Sequence, residues 1–188
     1  QEVSIFLQNV IITDTKYYSI SDAFRSLISV DTLAAGKKVL SLLQTNSHND
    51  VIRKAAISYY GSVISDSNYD KLKNLCIYGG TTWDARPEAV YQLSKYVKNK
   101  PEALKTFIDL LEDPSRSVRK NCIRALGKYG SKEHFGYLDE VLYNDPILSR
   151  DIRLAKKTIN KEKNVIKNKD DEVEKLNLKF EEIRKIIN

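Results

Sequence analysis

The sequence predicts an all-α fold: a solenoid of about five stacked helix pairs, with an end helix at the N-terminus and a capping helix at the C-terminus. Three observations predict it. A self-similarity recurs at a near-constant interval, the apolar residues step by three and four, and the breaks between apolar segments carry helix-start and helix-stop chemistry.

The repeat is clearest in the segment DVIRKAAISYYG. Ile52, Arg53, Ala56, Ile57, Tyr60 and Gly61 recur 33 positions later as Ala85, Arg86, Ala89, Val90, Leu93 and Ser94. Another 33 positions on, the same slots hold Val118, Arg119, Cys122, Ile123, Leu126 and Gly127. A fourth copy pairs Ile152 and Arg153 with Val118 and Arg119 through one extra residue. An earlier copy begins at Ile20, with Ala23 and Phe24 in the small and apolar slots and Ser21 where arginine would stand. The outer copies are atypical, as terminal repeats of stacked arrays are.

A second series lies between these helices. Leu104, Phe107, Leu110 and Leu111 map 31 residues later onto Phe135, Leu138, Val141 and Leu142, and these are the partner helices. The breaks have their own chemistry. Asp113-Pro114 and Asp145-Pro146 set a capping carboxylate ahead of a proline suited to a first helical turn. Asn99-Lys100-Pro101 and Gly79-Gly80 mark two more turns. One helix pair cannot cover its own apolar faces, so neighbours must stack into a curved array with a long inner surface, where function is expected.

At the start, Val3, Phe6, Leu7, Val10 and Ile11 make one helical stripe, predicting an end helix over about residues 2–13. At the far end Val173, Leu176, Phe180, Ile183 and Ile187 form a short heptad seam, read as a helix capping the last repeat or as a coiled-coil contact. The predicted organisation is a solenoid over 1–164 followed by a charged amphipathic helix over 165–188.

Composition fits a folded chain. Of 188 residues, 41% are hydrophobic and 30% charged, enough apolar content for a sizeable core. The net charge of +6 comes from 31 basic and 25 acidic residues interleaved along the chain, which argues against nucleic acid, whose binders concentrate the excess. Cys76 and Cys122 sit inside apolar helical patterns and read as buried hydrophobes. With neither a membrane span nor a signal peptide visible, a reducing, cytoplasmic location and no membrane partner are expected. The chain begins at Gln1 and has no methionine, as expected of a piece from the C-terminal side of something longer.

No chemistry declares itself. His48 and His134 are far apart and lie in connecting or helix-starting positions, without the pairing that zinc needs. HExxH, CxxC, GxSxG and glycine-rich phosphate loops are missing from the sequence, so no catalytic residue, metal or cofactor is expected in this chain. The arginine slot, Arg53, Arg86, Arg119 and Arg153, would align in a row on stacking. Asp50, Asp84 and Asp113 lie shortly upstream of their arginines, so a structural ladder of Asp–Arg contacts between repeats is expected to consume both, ahead of any phosphate-binding role. Seven of the eleven tyrosines, Tyr59, Tyr60, Tyr91, Tyr96, Tyr129, Tyr137 and Tyr143, fall on or near helices and are expected mostly in the core. The partner or peptide surface is expected on the second helices, at Lys71, Lys73, Lys105, Asp109 and Tyr137.

The phrases SHNDVIRKAAISYYG, GGTTWDARPEAVYQLSKY and LEDPSRSVRKNCIRALGKYG resemble HEAT repeats. More narrowly, their order over roughly residues 18–160 is similar to the helical C-terminal domain of zinc aminopeptidases of the aminopeptidase N family. That resemblance implies a parent that removes N-terminal residues from peptides and holds zinc elsewhere. This chain would then be a noncatalytic scaffold that packs on the catalytic domain of the same polypeptide and limits peptide access. The alternative is a free-standing HEAT module that binds another protein or peptide.

Overall fold

The computed structural model describes residues 1–161. The expected boundary at 164/165, and the terminal helix with Val173, Leu176, Phe180, Ile183 and Ile187, lie outside the described residues. Among the described residues all regular structure is helical. The helices are α1 (Glu2–Thr13), α2 (Tyr17–Val30), α3 (Thr32–Gln44), α4 (Val51–Ser62), α5 (Asp66–Cys76), α6 (Arg86–Ser94), α7 (Ala103–Asp109), α8 (Arg116–Tyr129) and α9 (Phe135–Asn144). A further helix, α10, covers 149–161. The fold is the all-α solenoid type of paired helices, and the chain divides into two compact units, Gln1–Ala125 and Leu126–Asn188.

In the first unit α2, α4 and α6 lie in succession, each packing on the next. The second helices bridge them: α3 packs on α2 and α4, and α5 on α4 and α6, while α1 lies on α2. The sequence dictates this spacing. Ala23, Ala56, Ala89 and Cys122 recur every 33 positions and all are buried, so the first helices approach closely through their smallest side chains. Phe24, Leu27, Ile52, Ile57, Leu72, Leu93 and Phe107 fill the space between the layers. Removing any of these large side chains would cost about 2–5 kcal/mol. The tyrosines expected in the core divide. Tyr60 and Tyr96 are buried and Tyr59 and Tyr129 half-buried, but Tyr91, Tyr137 and Tyr143 are exposed. Tyr91 shows why: α6 buries Arg86, Ala89, Val90 and Leu93, and position 91 points away from that stripe. Buried Tyr96 donates its hydroxyl to the Tyr60 carbonyl at 2.6 Å, closing the end of α4.

The helix starts use several caps. Asp31 accepts from the Ala34 amide and from the Ser4 hydroxyl at 2.7 Å, tying α1 to the start of α3. Ser65 caps α5 through the Asn68 amide. The Asp113-Pro114 start is corrected: Asp113 accepts from the Ser115 amide at 2.8 Å, and α8 begins only at Arg116. Pro146, as expected, opens a helical turn, a 3-10 turn over Pro146–Leu148 that leads into α10, but the Asp145 side chain makes no capping bond to it. In the second unit, Leu138, Val141, Leu148, Ile152, Ala155 and Ile159 are buried. Gly127 sits against Ala155 so closely that a Cβ there would lie 2.7 Å from the Ala155 Cα.

Candidate functional site

The row of arginines is built from backbone geometry first. α4 is entered through Asn49 and Asp50, both left-handed at φ 51° and 54°, a conformation that Asn and Asp tolerate better than most residues. This turn sets the Asp50 carboxylate against Arg53. Arg53 also donates Nε to the Leu43 carbonyl at 2.7 Å, one guanidinium nitrogen to Asn46 at 3.1 Å and another to Thr82 at 3.2 Å. Thr82 in turn donates to Asp50, so the turn before the next repeat is stitched to this one.

One repeat on, Arg86 repeats the first part of the pattern. Its Nε donates to the Cys76 carbonyl at 3.1 Å, again ten residues earlier and again at the end of a second helix. Each arginine therefore satisfies a carbonyl at the C-terminal end of the preceding helix and places a positive charge where the helix dipole favours one. Its counter-charge, however, comes from the following repeat. Arg86 is 1% exposed and pairs with Asp113, 6% exposed, while the Tyr78 ring centroid lies 5.6 Å from the guanidinium carbon. Arg119 donates to the backbone carbonyl of the same Asp113 at 2.5 Å.

These contacts change the expected membership. Asp84, expected opposite Arg86, is exposed, and Asp113 takes that place because it precedes α8 at the level where the Arg86 side chain ends. Arg153 on α10 is exposed. Arg53 and Arg86 are buried with their guanidinium groups on carbonyls and carboxylates, and Arg119 is half-buried against the Asp113 carbonyl.

On the second helices, Lys71 and Lys73 of α5 are exposed, with the Lys71 ammonium 5.3 Å from the Tyr60 ring centroid. Lys105 and Asp109 of α7 are exposed, and so, in the second unit, is Tyr137 of α9. His134 acts as a cap: its Nδ1 accepts from the Ser131 amide at 3.0 Å. Burial holds the Cys76 thiol far above its ordinary range, and Cys122 likewise, so neither is a nucleophile near neutral pH. Among the described residues no group of three or more His, Cys, Asp and Glu side chains could hold a metal ion. Nor is any helix among them long and apolar enough to cross a membrane.

The first unit also contains a cleft of about 320 Å³ that the sequence did not single out. Trp83, Asp84 and Glu88 line it from the turn before α6 and from its first turns, Lys54 from α4, and Ser115 and Asn121 from around the start of α8. Asn121 donates to the Pro87 carbonyl at 2.7 Å, which fixes the start of α6 against α8. Gly79 takes a φ of +83° in the turn before α6, and a Cβ on Gly80 would lie 1.9 Å from the Asn74 carbonyl oxygen, so the Gly79-Gly80 pair is what lets the chain turn tightly there. Thr82, next to the tryptophan, is anchored on Asp50. Trp83 thus stands 54% exposed on a pinned turn.

No curated protein matches the chain in a sequence comparison. Residues 69–155 match the family model for HEAT repeats, which covers the helix pairs from α5 into α10. With that match on paired helices spaced by an internal repeat, residues 69–155 are similar to HEAT repeats.

Proposed function

We propose that this chain is a noncatalytic helical scaffold that binds a protein partner through the exposed polar side chains of its second helices, Lys71, Lys73, Lys105, Asp109 and Tyr137. The observation that carries this reading is the consumption of the repeat-slot charges inside the array. Arg53, Arg86 and Asp113 are turned inward, whereas Lys71, Lys73, Lys105, Asp109 and Tyr137 on the second helices are exposed. HEAT repeats are helical interaction scaffolds, which supports the same reading.

The partner we propose is the catalytic domain of a zinc aminopeptidase of the aminopeptidase N family, on which the chain packs and restricts peptide access. The support is the order of the DVIRKAA, RPEAV and DP-to-VRK phrases. Zinc and the reacting groups would belong to that domain. Two buried, unpaired thiols support a reducing, cytoplasmic setting.

The test is hydrolysis of aminoacyl chromogenic substrates by this chain with added zinc, and by the product of the complete open reading frame. Activity confined to the complete product is the expected result. Activity in neither would refute the peptidase partner and leave a free-standing interaction module, and activity in this chain alone would refute the scaffold.

A further inference from the structure

We propose that the cleft beside Trp83 is a docking site for an arginine side chain carried on a segment of a partner protein. It lies on the turn before α6 and on first helices, so it does not depend on the second-helix surface or on which partner that surface meets.

Four features select this ligand. Trp83 is the single tryptophan of the chain and is exposed, although burial of so large an apolar ring is strongly favoured. Its turn is held by the Thr82 to Asp50 bond, so the indole face is presented in one place with little ordering left to pay for in binding. Asp84 and Glu88, one helical turn apart, line the same cleft with carboxylates, against the single ammonium of Lys54. Asp84 makes no ion pair within the ladder, and Glu88 accepts from the neutral Gln92 amide at 2.6 Å while lying in the field of the Lys95 ammonium. Their charge is therefore not cancelled by a guanidinium inside the fold. A chain of net charge +6 thus carries a local negative cleft with an aromatic wall.

A planar guanidinium satisfies both elements at once: its face stacks on the indole while its edge donates in pairs to a carboxylate. The volume, about 320 Å³, stands at the low end for ligand sites and suits one side chain rather than a cofactor. Ser117 and Asn121 add polar groups on the α8 side for the backbone of the incoming segment.

The test reads the emission of Trp83 during titration with an acetylated, amidated Gly-Arg-Gly peptide, with Gly-Glu-Gly and Gly-Gly-Gly as controls. The expected result is a weak, saturable change with the arginine peptide alone, diminished by salt. Asp84→Asn and Glu88→Gln should each weaken binding about two- to fivefold, the range of exposed ion pairs. Lys54→Ala should leave it unchanged or strengthen it. Circular dichroism of each variant confirms the fold. An equal response to the glutamate or glycine peptide, no response to the arginine peptide, or affinities indifferent to both carboxylate variants would overturn the assignment. Weaker arginine-peptide binding in Lys54→Ala would overturn it too. The readout needs no peptidase domain, so its failure is distinct from failure of the scaffold reading.

Discussion

Replacing Asp113 with asparagine should destabilise the protein more than any comparable surface change, and the size of the effect follows from burial. Arg86 is 1% exposed, and Asp113 is its carboxylate. An amide in that place keeps an acceptor for the Ser115 amide but removes the counter-charge, leaving a guanidinium in the interior with carbonyl and aromatic partners only. Breaking one side of a buried ion pair costs about 3–5 kcal/mol. For a chain of this size each kcal/mol lowers Tm by about 2–4 °C, so the midpoint should fall by roughly 6–20 °C. Thermal and urea denaturation measure it directly, with the m-value showing whether the same cooperative unit unfolds. Replacing Arg86 with methionine in the Asp113→Asn background should restore part of the loss, because no uncompensated charge remains. A loss below about 1 kcal/mol, or additivity of the two changes, would refute the claim that the pair is coupled in the interior.

Three further outcomes are expected. Gly127→Ala should destabilise by about 1–3 kcal/mol in the same melts, and Ala155→Gly should not restore it, because the new Cβ meets the Ala155 Cα at 2.7 Å as well as the side chain. Cys76 and Cys122 should resist a thiol reagent in the native state and both react in denaturant, since burial raises both thiols; rapid native reaction would contradict their packing. The Ala34 amide, with the Ser4 hydroxyl, holds the Asp31 carboxyl below its ordinary range. A lowered folded value means that the stabilisation is full above the unfolded carboxylate's range and is lost as pH falls through the folded value. Asp31→Asn should therefore melt lower than the native chain at neutral pH and converge with it in strong acid, and a constant gap across that range would sink the linkage.

How much of this was legible in the residues depends on where the pattern acts. The slots at 56, 89 and 122 announced themselves because close helix packing admits only small side chains there. The arginines announced their position but not their partners. Nε bonds to the carbonyls of Leu43 and Cys76, which any residue would supply, so no side-chain pattern marks them. Asp84 misled because spacing along the chain was equated with proximity. The turn that contains Gly79-Gly80 directs that carboxylate to the surface, and Asp113 reaches Arg86 from the next repeat. Trp83 carried no periodic signal at all, lying between helices.

The arginine-to-carbonyl bonds also set an order on synthesis. The Cys76 carbonyl at the end of α5 gains its arginine donor only once the chain ten residues further on has left the ribosome and folded into the next first helix, and until then water must satisfy it. At Leu43 and Cys76 a helix end is thus completed by the first helix of the next repeat, and a nascent chain stalled between Cys76 and Arg86 would carry the Cys76 carbonyl without that donor. Boundaries for dissecting this protein belong after an arginine slot and its Asp113-like partner, since a cut in the preceding turn leaves the upstream piece unfinished.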